Sequence, residues 1–131
     1  MSEVRLFKED DLAGVVALCE AEGWPSFPAD PPRALRALTA PGVTTVVATQ
    51  GDGRVVGFAQ LQSDGEIQAH LSLIAVDPAF RRQGLGRRLL DLALKTAGGQ
   101  RIDLNTESAD DFYARLRHFR MSGFRLYPPF L

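Results

Sequence analysis

Cysteine is nearly absent from this 131-residue chain: Cys19 stands alone, so no disulfide can form within it. Aromatic residues make up 8% of the chain, with one tryptophan, Trp24. The formal net charge is −1, which removes the overall positive charge that draws proteins to nucleic acid or to acidic membrane surfaces. No apolar run approaches the ~20 residues needed to cross a bilayer. Met1-Ser2-Glu3-Val4-Arg5 opens with mixed charge and has no signal-peptide core. The expectations are therefore no nucleic-acid partner, no membrane and a cytoplasmic location. No set of metal ligands suggests itself. Repeats, linkers and low-complexity tracts are also missing.

What is present fits one domain, residues 1–131. The composition is 45% hydrophobic and 24% charged, enough for a true core at this length. Val4 to Phe7 predicts a strand. Asp10 caps a helix whose face carries Leu12, Val15, Val16 and Cys19, which makes Cys19 a core residue. Gly23 to Pro28 breaks that helix. Asp30-Pro31 opens a short second helix with Ala34, Leu35 and Leu38. Val43–Thr49, Val55–Leu61 and Glu66–Val76 predict a meander, joined through Gly51-Asp52-Gly53 and Ser63-Asp64-Gly65. Leu85, Leu89, Leu92, Ala93 and Thr96 define a helix that Gly98-Gly99 ends. Arg101–Asn105 predicts a strand, 108–117 a last helix and Phe124–Tyr127 a last strand. The order is β-α-α-β-β-β-α-β-α-β, a mixed α/β arrangement.

The segment between the long strand and its helix carries the chemical signal. Arg81, Arg82, Arg87 and Arg88 lie there without an acid between them. A helix start offers N–H groups without internal partners and a positive dipole end, both suited to phosphate. Gly84 and Gly86 leave room for a diphosphate to approach the backbone. Two rival phosphate motifs fail. A dinucleotide fingerprint needs glycine where Leu89 stands, and no Gly-Lys-Ser/Thr tripeptide occurs.

Residues 73–90, Leu-Ile-Ala-Val-Asp-Pro-Ala-Phe-Arg-Arg-Gln-Gly-Leu-Gly-Arg-Arg-Leu-Leu, resemble the cofactor motif of the GNAT superfamily of N-acetyltransferases. That motif has the form Arg/Gln-x-x-Gly-x-Gly/Ala, met by Arg81, Gly84 and Gly86. The resemblance implies a GNAT fold: a mostly antiparallel mixed sheet with flanking helices. It implies acetyl-CoA as cosubstrate and transfer of its acetyl group to a primary amine. The backbone from Arg82 through Gln83, Gly84, Leu85 and Gly86 to Arg87 would hold the pyrophosphate. Ile74, Ala75 and Val76, near a bulge in the strand, would line the pantetheine arm, with Asn105 beyond it.

Amine acetylation needs a base for the ammonium, a polarised thioester carbonyl and a proton for the leaving thiolate. His70 is the first candidate base, and Glu66 the reserve. Alternation puts Glu66, Gln68, His70 and Ser72 on one strand face, which would otherwise be a solvated outer face. The resemblance makes Tyr113 the acid. Trp24, Phe27 and Glu22 are candidates for binding a cationic acceptor. Nine residues separate Tyr113 from Gly123-Phe124, and seven follow Phe124. That leaves an abbreviated C-terminal strand region and an expectation of a homodimer. The alternative function is a non-catalytic acyl-CoA-binding regulatory module on the same fold.

Overall fold

The structure, a computed structural model, describes residues 2–131. Five strands form one sheet in the order β1-β2-β3-β4-β5: β1 Glu3–Leu6, β2 Val43–Thr49, β3 Val55–Ser63, β4 Gln68–Val76 and β5 Arg101–Asp103. The first four pair antiparallel; β5 joins β4 in parallel. A parallel neighbour requires a crossover, and the helix α4, Leu85–Ala97, supplies it. The helices α1 (Leu12–Glu22), α2 (Ser26–Ala29) and α3 (Pro31–Leu38) fill the connection from β1 to β2, and α5 (Asp110–Ala114) follows β5.

The sheet separates two apolar layers. On one face Leu85, Leu89, Leu90 and Ala93 of α4 pack on Val46, Ala48, Ala59, Leu61, Ala69 and Leu71. On the other, Val15, Leu18 and Cys19 of α1 and Leu38 of α3 pack on Val47, Phe58 and Ala75. Each stripe differs slightly from its expected form. Leu18 is buried where Val16 is half-buried, and Leu90 is buried where Thr96 is exposed. Helix α1 ends at Gly23 with φ +78°, a left-handed cap that suits glycine. The start of α1 is fixed by Asp11, whose carboxylate takes two bonds from Arg5 at 2.8 and 2.9 Å and one from the Lys8 N–H at 2.8 Å.

One irregularity governs β4. Gln60 pairs with Leu73 while Leu61 pairs with Leu71, which leaves Ser72 as an extra residue, a β-bulge. Side-chain parity flips across it. Ala69 and Leu71 belong to the α4 layer, whereas Leu73 and Ala75 belong to the α1 layer.

The C-terminal part departs from expectation. The last helix spans 110–114 rather than 108–117, and Phe124–Tyr127 forms no strand. Phe119, Phe124, Leu126, Tyr127 and Phe130 are exposed, so that segment lacks the apolar layer that would reward pairing. Among the described residues the outer edge of β5 has no neighbouring strand.

Candidate active site

The turn after β4 is built by Asp77. Its carboxylate accepts the Ala79 N–H at 2.9 Å and pairs with Arg54 at 2.9 Å, and Pro78 begins a 3-10 turn to Phe80. Arg82 (φ +63°) and Gly84 (φ +77°) then reverse the chain into α4. Left-handed residues of this kind turn successive N–H groups to one side and form an anion-binding nest. None of the amides from Arg82 to Arg87 finds an acceptor among the described residues. The first helical bond here is Arg88 N–H to the Gly84 carbonyl at 3.1 Å. Consecutive free amides at the positive end of a 13-residue helix make a strong phosphate cradle.

The adjoining strand edge is open. Strand β5 pairs with β4 only at Gln68, Ala69 and His70, opposite Arg101, Ile102 and Asp103. Beyond His70, β4 runs on to Val76 without that neighbour. The Asp77 N–H donates to Val56 of β3 at 2.8 Å. Across a trans peptide, the preceding Val76 carbonyl therefore points the opposite way, to the open edge, and strand periodicity turns Ile74 with it. An extended chain laid into this gap would find Ile74 and Val76 as partners, the geometry of an added strand. The buried Ala75 packs into the opposite layer.

Tyr113 lies half-buried on the α4 side, and burial pushes its hydroxyl pKa up. A phenol shifted in this direction stays protonated through the neutral range. Its ring meets Phe112 edge-on, centroids 4.9 Å apart. Phe112 reaches back to α4: a Cβ on Gly86 would come within 3.0 Å of its ring. Gly86 therefore seats α5 against the cradle, a packing role beyond its place in the motif.

His70 stands on the opposite face. It is exposed, lies across from Gln62 of β3, and borders a groove of about 340 Å³ with Val43, Gln68 and Asp64. Gln62 Nε2 donates to Ser72 Oγ at 2.7 Å, which ties down the bulge, and Gln68 Nε2 donates to Asp103 at 2.7 Å. Gln62 and Ser72 escape a reading of motifs, because only the strand pairing and the bulge bring them together. Glu66 lies outside β4, in the preceding turn. There the Asp64 carboxylate accepts the N–H groups of Ile67, Glu66 and Gln68. Those bonds, that from Ile67 foremost, hold the Asp64 carboxyl below its ordinary range. The turn consumes the residues that alternation had assigned to the strand.

Trp24 and Phe27 are half-buried against the α1 layer, beside Leu73 and Ala75. Glu22 is bound to Arg81, Nη2 to Oε1 at 2.9 Å, so neither group is a free charge. Asn105 is exposed beyond β5, its side chain against Gly123. Cys19 is buried, and burial, with the charge of Glu22, pushes its thiol up to about 11. Such a thiol stays protonated and offers no acyl-carrying nucleophile. Among the described residues no group of three or more His, Cys, Asp or Glu side chains converges on a metal position, and no helix is long and apolar enough to cross a membrane.

A strand edge left open at a bulge, followed by an amide cradle on the next helix, defines the acyl-CoA acyltransferase architecture. Residues 7–119 match the model of the Acetyltransferase (GNAT) family, and the chain belongs to that family. A mycothiol acetyltransferase of Clavibacter michiganensis subsp. michiganensis is 42% identical over 67 residues, which are 50% of this chain and 21% of that protein. The N-alpha-acetyltransferase RimI of Mycobacterium tuberculosis is 32% identical over 98 residues, 72% of this chain and 61% of the relative. The chain thus spans between a fifth and three fifths of these relatives. An aminoglycoside N-acetyltransferase solved with CoA superposes with a TM-score of 0.78 at 19% identity, covering 97% of this chain and 93% of that one, a likeness of fold.

Proposed function

We propose that this chain is an acetyl-CoA-dependent N-acetyltransferase that acts on a primary amine by direct attack within a ternary complex. The observation that carries this reading is the run of unpartnered amides from Arg82 to Arg87 at the start of α4. These amides hold the pyrophosphate. Ile74 and Val76 bind the pantetheine arm along the open edge, with Ala75 between them and Asn105 across the gap. Acetyl-CoA supplies an activated acetyl thioester. Of the titratable groups, His70 accepts the proton of the acceptor's ammonium, with Glu66 in reserve. Tyr113 donates a proton to the departing sulfur. The backbone N–H near Ile74 polarises the carbonyl.

The two faces divide the labour. The cradle and Tyr113 lie on the α4 side, so the acceptor enters from the α1 side, where Trp24 and Phe27 form a wall and His70, Gln62 and Ser72 a polar floor. The names of the two relatives point to different chemistry, mycothiol and an α-amino group, so the amine panel spans small thiol-bearing amines and peptide N-termini. A cytoplasmic setting belongs to the same reading, as does a homodimer in which the exposed apolar C-terminal segment covers a second copy beside its unpaired β5 edge. The experiment is transfer of the acetyl group from acetyl-CoA to an amine panel. Tight binding without turnover would favour the acyl-CoA-binding module instead.

A further inference from the structure

Arg81 opens the glycine motif, yet its side chain is not turned to the cradle. Nε donates to the Val76 carbonyl at 3.0 Å, and Nη2 pairs with Glu22 at 2.9 Å, 59 positions earlier in the chain. The Val76 carbonyl faces the open edge of β4. Glu22 is the last residue of α1, and Gly23 and Trp24 follow it. One guanidinium therefore joins the mouth of the cofactor gap to the base of the acceptor-side loop.

One further feature makes this junction more than a surface ion pair. The next residue, Arg82, holds φ +63°, a left-handed conformation strained for a non-glycine residue, which persists only where its surroundings impose it. The clamp on Arg81 and the capped turn at Asp77 lie just before it in the chain. The pair itself is half exposed on the Arg81 side, 52%, and such pairs add little to stability. Its consequence lies in geometry.

We propose that Glu22 and Arg81 are positioning residues that couple the cofactor cradle to the acceptor-side loop, so that occupancy of one alters the other. This rests on CoA binding at the cradle, as read above. Glu22 fixes Arg81, Arg81 fixes the left-handed turn at Arg82, and the same bond fixes the end of α1 beneath Trp24. Coupling of this kind is reciprocal: a filled cradle shifts acceptor affinity by the factor with which acceptor shifts CoA affinity.

Trp24 is the only tryptophan, so its fluorescence reports the acceptor-side loop without labelling. Titration with CoA is followed by calorimetry and by Trp24 emission, for wild type, Glu22→Gln, Arg81→Lys and the exchanged pair Glu22→Arg with Arg81→Glu. In wild type the emission change saturates with the calorimetric isotherm. In Glu22→Gln the CoA Kd rises about five-fold, melting temperature holds, and the Trp24 response disappears. Arg81→Lys, which keeps the charge but loses the fork, behaves alike, and the exchanged pair recovers at least half of the response. An unchanged Kd with a persistent Trp24 response in Glu22→Gln overturns the coupling. So does a tighter Kd, which would mean that Glu22 withholds Arg81 from the phosphates. Absence of CoA binding to wild type would defeat the functional reading itself, a result separable from the others.

Discussion

Tyr113 and His70 sit on opposite faces of the sheet, and their surroundings differ as their proposed roles require. Burial raises the Tyr113 pKa. A raised pKa keeps the neutral, donating form above the ordinary tyrosine value of ~10, so Tyr113 imposes no fall in rate below that pH. Tyr113→Phe is expected to lower kcat about 10²-fold with KM for acetyl-CoA within about three-fold, the signature of a group acting on the departing sulfur. His70→Ala should also lower kcat, and the loss should shrink as pH rises and more acceptor is already neutral. Steady-state kinetics across pH checks both; an unaltered kcat in either variant removes that residue from the mechanism. The glycine turn between β4 and α4 was legible in the sequence because a local strand-turn-helix context carries it, whereas Tyr113 was singled out only through the resemblance. The engagement of Glu22 was not legible. Its partner lies 59 positions away, and nothing local in either segment points to the other.

Asp11 shows how an element boundary depends on a single carboxylate. It is 5% exposed and joins β1, through Arg5, to the turn that starts α1. Burial alone would raise its pKa, but the hydrogen bonds from Arg5 and Lys8 and the charge of Arg5 outweigh it and leave the pKa lowered. The sign follows: a carboxylate depressed in the folded state adds stability above its unfolded pKa of ~4, lost as pH falls through the folded value. Asp11→Ala should cost about 3 kcal/mol at neutral pH, because it strands Arg5 and the Lys8 N–H. The gap to wild type should narrow below pH ~4. Urea unfolding at both pH values measures this, and a loss under ~1 kcal/mol at neutral pH would show that the pair is solvated. The order from α3 to α5 was readable from β-branched runs and glycine turns, as at Val43–Thr49 and Gly98-Gly99, whereas α2 at Ser26–Ala29 was not, because Gly23 to Pro28 reads as a break. The start of β4 was not, because the Asp64 turn takes up Glu66 and Ile67. The bulge at Ser72 was expected only by resemblance, near Leu73, since no residue type marks it. Phe124–Tyr127 has the composition of a strand but no apolar layer to pack on.

The whole molecule gathers these parts around one sheet, with the proposed cofactor side on α4 and the proposed acceptor side on α1. Most of the exposed large apolar side chains among the described residues lie in the C-terminal segment, at Phe119, Met121, Phe124, Leu126, Tyr127, Phe130 and Leu131, where the proposed second copy would cover them. Sedimentation should find a homodimer at micromolar concentration, whereas a clean monomer would leave that segment without the proposed occupant. The division of faces was beyond the sequence, because alternation carries one parity along the whole of β4, whereas the bulge at Ser72 leaves Ala69 and Leu71 in the α4 layer and turns Leu73 and Ala75 into the α1 layer. The most direct test of the central claim follows the acetyl group itself. With carbon-13-labelled acetyl-CoA and an amine panel, NMR should show the label moving into an acetamide of at least one amine, with one free CoA thiol per amide formed. Label that stays on the thioester, or appears only as acetate, while CoA binds saturably, would contradict the account.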